Sequence, residues 1–195
     1  MKRNLYSIYN EELEELAYEP KGVVDLYIQK MLRKWSATSD LKYAFTVPAS
    51  DYLRGQLFCS DVSEAMEEAF TQRDLISILL DDLLFQAKKR SNPYDLYHAL
   101  NTMDRQFIQI SAYSELDEEE SQRQTPVKKP VRIECKIKRK QALRLEVMLS
   151  DIEEIQPARI FCVEDVLQII YCDFIYRYKN GTLKNVLESI IKRLG

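Results

Sequence analysis

The sequence predicts an α+β fold in which one unit, a β-hairpin followed by two helices, occurs twice after an N-terminal helical arm. Apolar residues alternate at odd positions in two stretches, from Leu41 to Cys59 and from Val131 to Leu149. The pattern of a long apolar helix follows each stretch. Several polar residues also recur at a nearly constant distance along the chain. We expect the hairpins to join in one antiparallel sheet with the helices on one face.

Composition excludes several classes of protein. The chain has 195 residues, of which 46% are hydrophobic and 30% charged, so it can bury a core. Its net charge is −3, so the electrostatic field of the whole molecule does not attract nucleic acid. This argues against a protein that coats nucleic acid. The four cysteines form no C-x-x-C pair, which is typical of a reducing compartment. The pattern of neither a signal peptide nor a membrane span is found, and we expect a cytoplasmic protein without a membrane anchor.

Residues 1–40 form the predicted N-terminal helical arm. Pro20 is suited to the first turn of a helix. Lys30, Arg33 and Lys34 lie near the end of this helix, where they favour its dipole. The apolar positions after Pro20 recur at helical spacing and form one broad face: Val23, Val24, Tyr27, Ile28, Met31, Leu32 and Trp35.

The first unit, residues 41–113, is predicted to begin with a hairpin. A strand over residues 41–47 is followed by a turn at Pro48–Asp51 and a second strand to Cys59, with a bulge at Gly55. A short acidic helix over residues 61–69 follows. Thr71 and Asp74 then predict a cap for a helix from Gln72 to about Arg90. Asn92-Pro93 ends that helix and starts another, which runs to about Met103.

Residues 114–130 form a predicted acidic and proline-containing linker, and residues 131–195 form the second unit. This unit is predicted to have strands over residues 131–137 and 143–149, a helix from about Val163 to Lys179, and a last helix after Asn180-Gly181. A competing interpretation makes residues 141–155 one helix, because their apolar positions also fit a helical stripe.

The similarity of the two units predicts an internal tandem duplication. Leu53-Arg54 recurs as Leu143-Arg144, 90 residues later, and Ser60-Asp61 recurs as Ser150-Asp151 at the same offset. After one inserted residue near Pro157, the matches continue at an offset of 91. Phe70, Asp74, Ile78 and Asp82 then match Phe161, Asp165, Ile169 and Asp173. The polar matches carry the prediction, because apolar positions match between any two units of the same secondary structure.

Asp82 and Asp173 are the most specific polar positions. Each lies within the apolar stripe of its helix, where a carboxylate needs a partner. We expect structural ion pairs with the other repeated charges, Arg54 and Arg144 respectively. The alternative is a carboxylate pair that binds a metal or acts in an enzyme. Standard catalytic motifs are absent, and the sole histidine, His98, has no partner at metal-ligand spacing.

A basic stretch suggests a second function. The residues Lys136, Lys138, Arg139, Lys140 and Arg144 surround the turn of the second predicted hairpin and could contact phosphates. The stretch has no interleaved aromatic residues to stack on bases. Arg132, Glu134, Lys136 and Lys138 are therefore better interpreted as the solvent face of a strand.

The first function hypothesis is a non-enzymatic regulator, adaptor or inhibitor that binds a protein partner or a second copy of itself. Its basis is the surplus of apolar helix surface and the abundance of tyrosine, with twelve in the chain. The candidate interaction residues are Tyr171, Tyr176, Tyr178 and Trp35. Nucleic-acid binding and a carboxylate or metal site are the alternatives, and no cofactor is expected.

Overall fold

The computed structural model of the chain describes residues 5–18, 39–90, 92–104 and 129–194. Within these ranges, seven helices and a two-stranded antiparallel sheet confirm the α+β class. The elements are α1 (Ser7–Ala17), β1 (Asp40–Val47), α2 (Ala49–Met66), α3 (Gln72–Arg90), α4 (Pro93–Met103), β2 (Val131–Lys138), α5 (Arg139–Ile155), α6 (Val163–Lys179) and α7 (Val186–Leu194). The predicted helix that starts at Pro20, with Trp35, and the predicted linker up to residue 128 lie outside the described residues.

The two predicted hairpins are wrong in their second strands. Each first strand is present, but helix α2 or α5 follows it directly. In α2 the buried residues Gly55, Phe58, Cys59 and Val62 follow helical spacing. Leu53 and Leu57, which fitted the strand pattern, are exposed. Pro48 precedes the helix instead of starting a turn, and Gly55 lies inside the helix instead of at a bulge.

Residues 141–155 belong to helix α5, as the competing interpretation proposed. Its buried apolar residues are Ala142, Leu145, Leu149 and Ile152. The side-chain oxygen of Gln141 accepts a hydrogen bond from the Lys138 backbone N–H at 3.0 Å, so the predicted turn is a helix start. Both a helix pattern and a strand pattern fit the apolar residues of this stretch. The structure has the helix, because these residues form one stripe along the helix that is buried in the core.

The other helices lie close to their predicted positions. Asp74 accepts a hydrogen bond from the Thr71 backbone N–H at 2.8 Å, which confirms the predicted cap of α3. Asp165 accepts one from the Cys162 N–H at the start of α6, also at 2.8 Å. The Asn92 side chain accepts from the Tyr94 N–H at 3.0 Å and caps α4. Local side-chain chemistry thus fixes the start of three helices.

The sheet pairs β1 with β2 over their full lengths, and Ala44 lies opposite Glu134 at its centre. Its inner face carries the odd-numbered residues, of which Phe45, Val47, Ile133, Cys135 and Ile137 are buried. The even-numbered residues of β2 are exposed, as predicted for its solvent face: Arg132, Glu134, Lys136 and Lys138. The antiparallel sheet is therefore apolar on one side and charged on the other.

The helices pack on the sheet and on one another in matching pairs. Helix α6 contacts β1, α3 contacts β2, and α3 and α6 contact each other. Helix α4 packs against α5, which follows β2, and α7 packs against α2, which follows β1. Helices α4 and α7 therefore each pack against a helix of the other predicted unit, and the buried residues form one core.

Candidate functional site

A groove of about 680 Å³ lies between four helices of the described chain. Helices α3 and α4 form one side, and α6 and α7 form the other. Its lining is mostly apolar, which is typical of sites that bind ligands or partner side chains. The apolar lining residues are Ile78, Leu79, Leu83, Ala87, Leu96, Ala99, Met103, Ile170, Phe174, Leu183, Val186 and Ile190.

Helical periodicity positions the residues of the groove. In α3 the lining residues form two rows on one face of the helix, with a spacing of four residues in each row. One row is Ile78, Asp82 and Gln86, and the other is Leu79, Leu83 and Ala87. Leu83 is buried at the base of this face, while Asp82 and Gln86 are exposed. Each row thus runs along the groove, with polar side chains toward the solvent.

Four charged residues of the groove form two ion pairs. Asp82 of α3 pairs with Arg193 of α7 and so connects the two sides of the groove. The Asp173 carboxylate lies 3.9 Å from Arg177, one turn later in α6. Asp173 is only 4% exposed, so its charge requires compensation from neighbouring groups. Asp95 and His98 of α4 are exposed lining residues.

The predicted partners of the two aspartates lie elsewhere. Arg54 contacts Asp51 within α2 at 3.4 Å. Arg144 lines a separate cavity of about 270 Å³ between α3, α4 and α5. The i,i+4 spacing of Asp173 and Arg177 was a local signal that could have identified that pair. No local signal connects Asp82 with Arg193, because only the packing of α7 brings them together.

Asp82 and Asp173 nevertheless line the same groove, as the carboxylate hypothesis requires. Each of the two carboxylates has an arginine beside it, Arg193 for Asp82 and Arg177 for Asp173. Among the described residues, no group of three or more His, Cys, Asp or Glu side chains could hold a metal ion.

The four thiols are poorly suited to nucleophilic chemistry. All four cysteines are free, and Cys59 and Cys135 are buried. Burial raises the pKa of Cys59 to about 12 and that of Cys135 to about 11. Burial also raises the pKa of Cys162 and of Cys172 to about 12. Their thiols therefore stay protonated near neutral pH, whereas the thiolate is the reactive form.

The candidate interaction tyrosines have different environments. Tyr171 is fully buried, and its hydroxyl donates to the Gln72 side-chain oxygen at 3.2 Å, so it cannot contact a partner directly. Tyr178 is half-buried and stacks on Phe174. Tyr176 is 46% exposed and is the member of this set with the most accessible side chain.

The predicted basic patch is incomplete, because Arg139 is buried and Arg144 is half-buried. Lys136 and Lys138 lie on the outer face of the sheet, and Lys140 is exposed in the first turn of α5. Arg139 is buried, with hydrogen bonds to Glu11 and Glu12 of α1, both at 3.1 Å. Burial alone would lower the pKa of Arg139, but the two glutamates outweigh burial and raise it. Arg139 thus connects two helices and is unavailable to phosphates.

No protein-family model, curated protein or solved structure matches the chain. No described helix combines the length and the apolar character needed to cross a membrane. The function therefore has to be inferred from the groove and the surfaces around it.

Proposed function

We propose that the chain is a non-enzymatic regulatory or adaptor protein that binds a helix of a protein partner in the groove between α3, α4, α6 and α7. The observation that carries this proposal is the apolar lining of a groove whose rim holds charges of both signs. An amphipathic helix in an apolar groove is a recurrent mode of recognition between proteins. The cytoplasm, with its reduced thiols, is the proposed location.

The dimensions of the groove suit a short helical segment. Ile78 and Ala87 mark the extent of the lining on α3, and the nine steps between these two residues span about 14 Å at a rise of about 1.5 Å per residue. A bound helix of the same length has between two and three turns. Such a helix presents apolar anchors at positions i, i+3, i+4 and i+7.

The charges at the rim of the groove indicate which charges the partner helix should carry. Asp82 and Asp95 belong to the α3–α4 side, and Arg177 and Arg193 belong to the α6–α7 side. A partner helix with basic residues on one flank and acidic residues on the other matches both sides. Asp82 and Arg193 are 51% and 40% exposed, so their ion pair is weak enough to exchange for contacts with a partner.

We further infer that the two units arose by tandem duplication, and that the groove lies between them. A strand and three helices occur in the same order twice. The strand centres pair at Ala44 and Glu134, which are 90 residues apart, as expected for a two-fold axis through the sheet. Because α3 and α4 come from one unit and α6 and α7 from the other, the groove is a composite of both. Binding sites occur preferentially at such interfaces.

Blocking the groove tests the proposed function. We expect Ala99→Trp, inside the groove, and Thr102→Trp, at its exposed rim, to remove at least one specific partner from the proteins that co-purify with the chain. Ala158→Trp, on an exposed loop outside the groove, is the matched control and should keep that partner. Quantitative mass spectrometry of the three purified complexes measures this. The same partners with all three variants, or no partner with any, would contradict the proposal.

Nucleic-acid binding remains a second candidate because of one observation on the outer face of the sheet. Lys42 of β1 lies directly opposite Lys136 of β2, and both side chains are exposed. Like charges in this arrangement are destabilising, and a bound phosphate would relieve the repulsion. Asp40, opposite Lys138, and Glu134, which pairs with Arg132 at 3.5 Å, reduce the positive charge of this face.

A further inference from the structure

Helix α1 covers one face of α5 through polar contacts in its first turn and near its middle. The Tyr9 backbone N–H, in the first turn of α1, donates to the Glu146 carboxylate at 2.9 Å. Farther along α1, Glu11 and Glu12 accept hydrogen bonds from Arg139. As a result Arg139 and Glu146 are buried, at 8% and 2% exposure. The structure thus shows how a helix, α1, binds to α5, the helix that directly follows strand β2.

Helix α2 occupies the place of α5 in the other unit. Each of the two helices directly follows a strand, and each is contacted by the last helix of the opposite unit. At the offset of 90 residues, the positions of Arg139, Leu143, Glu146 and Val147 match Ala49, Leu53, Gln56 and Leu57. This correspondence rests on the duplication proposed above and is independent of the groove.

The matching face of α2 has no covering helix among the described residues. Leu53 and Leu57, one helical turn apart, are 57% and 66% exposed, and Gln56 between them is exposed. Their counterparts Leu143 and Val147 are half-buried. Because they lie four residues apart, the two leucines share one side of α2 and form a small exposed apolar patch. We call Leu53, Gln56 and Leu57 the α2 face.

The charges along α2 indicate the chemistry of its partner. Asp61 and Glu64, in the C-terminal half of α2, are exposed, and Glu67 and Glu68 follow the helix and are also exposed. The position of Arg139 is occupied by Ala49, so the basic residue that holds the acidic helix α1 on α5 has no counterpart on α2. Arg54, the basic residue of α2, pairs with Asp51 near the start of the helix at 3.4 Å. Beyond this pair the α2 face is apolar with an acidic border toward its C-terminal end, which is complementary to a basic helix.

We propose that the α2 face binds a basic amphipathic helix of a protein partner, with apolar residues against Leu53 and Leu57 and Lys or Arg toward Asp61 and Glu64. The partner is not helix α1 of a second copy, because α1 carries Glu11, Glu12, Glu14 and Glu15 and would meet like charges. Together with the groove, this face gives the chain two binding surfaces, as an adaptor requires.

A defined probe tests this surface on the full chain. The probe is a synthetic 18-residue helical peptide of leucine and lysine with apolar spacing i, i+3, i+4, i+7, and the same peptide with glutamate in place of lysine is its control. Fluorescence anisotropy measures binding. We expect the lysine peptide to bind and the glutamate peptide to fail. The double variant Leu53→Ser, Leu57→Ser should weaken binding about tenfold or more without changing the charge of the protein.

Two control variants show whether the peptide binds to the α2 face or elsewhere on the protein. Leu16→Ser removes a leucine of α1 that is 72% exposed and should leave the affinity unchanged. Thr102→Trp, in the groove, should also leave it unchanged, so failure of the groove proposal does not affect this result. Equal binding by the wild type and the double leucine variant, or no binding of the lysine peptide, would overturn the proposal.

Accessibility of the face in the free protein gives an independent check. In Leu57→Cys, alkylation of residue 57, located by peptide mass spectrometry, should be as fast as that of residue 16 in Leu16→Cys. The lysine peptide should slow the first reaction and leave the second unchanged. Protection of residue 57 in the free protein would mean that the chain itself or a second copy already covers the face, and this would also overturn the proposal.

Discussion

Gly55 illustrates how a single position depends on a distant part of the chain. It lies buried in the interior of α2, where glycine is normally unfavourable. A Cβ atom at this position would collide with the Tyr171 hydroxyl and lie 2.9 Å from Tyr171 Cζ. The sequence predicted a bulge at Gly55, because no local pattern connects this glycine with a tyrosine of α6. The close approach of the two helices is the physical reason for the glycine.

Replacement of Gly55 by alanine should therefore destabilise the protein. In an exposed helix the change would stabilise by about 1 kcal/mol. Here the collision with Tyr171 reverses the sign, and we expect a net loss of about 1–3 kcal/mol in the free energy of unfolding. Urea denaturation measures it. Adding Tyr171→Phe, which removes the hydroxyl, should reduce the loss caused by the alanine. A Gly55→Ala protein more stable than the wild type would contradict this packing.

At the scale of the elements, the sequence predicted α3, α4 and α6 because their signals are local. Thr71 with Asp74, and Asn92 with Pro93, are caps that need no tertiary contact. For the first part of α2, up to Cys59, and for residues 143–149 of α5, the sequence predicted strands, because the apolar residues fit two periods over a short stretch. Only burial separates these patterns, since Phe58 and Val62 are buried while Leu53 and Leu57 are exposed. Burial depends on the association of α6 and α7 with α2.

The contact between α1 and α5 could not be predicted from local sequence patterns either. It depends on Glu146, whose carboxylate accepts hydrogen bonds at the N-terminus of α1. Burial raises the pKa of Glu146, although the N–H groups of Tyr9 and Ile8 act in the opposite direction. Glu11 also raises this pKa and Arg139 lowers it. The raised pKa means that the folded protein holds this proton more tightly than the unfolded chain does.

This raised pKa predicts a pH dependence of stability. As pH rises above the unfolded pKa, near the ordinary value of 4.5, the unfolded chain loses the proton first, so the contribution of Glu146 to the free energy of unfolding falls. The fall is complete once pH exceeds the folded pKa. We expect the stability of the wild type relative to Glu146→Gln to decrease from pH 4.5 to pH 7, as followed by urea denaturation.

Glu154→Gln, on the exposed part of the same helix, is the matched control for this experiment. The stability difference between the wild type and Glu146→Gln should change more with pH than the difference between the wild type and the control. A difference between the wild type and Glu146→Gln that increases with pH would show that the hydrogen bonds from α1, and not burial, dominate the pKa of Glu146.

At the scale of the whole molecule, helices of the two predicted units pack across the boundary between them. Helix α4 packs on α5, and α7 packs on α2, so neither unit completes its packing alone. The repeated sequence positions indicated two similar units, and the order of elements agrees with that similarity. The groove could not be predicted, because its sides come from both units and its Asp82–Arg193 pair joins residues far apart in the sequence. The proposed function depends on this composite site.

Photo-crosslinking in the native cell tests the helix-binding groove most directly. A benzophenone amino acid is placed at Gln86, an exposed residue of the groove, and in a separate variant at Glu154, outside it. From position 86 we predict crosslinks to one partner protein, in a segment whose apolar residues recur at i, i+3, i+4 and i+7. Position 154 should not give this product. Crosslinks from position 86 only to nucleic acid or within the chain, or the same products from both positions, would contradict the proposed function.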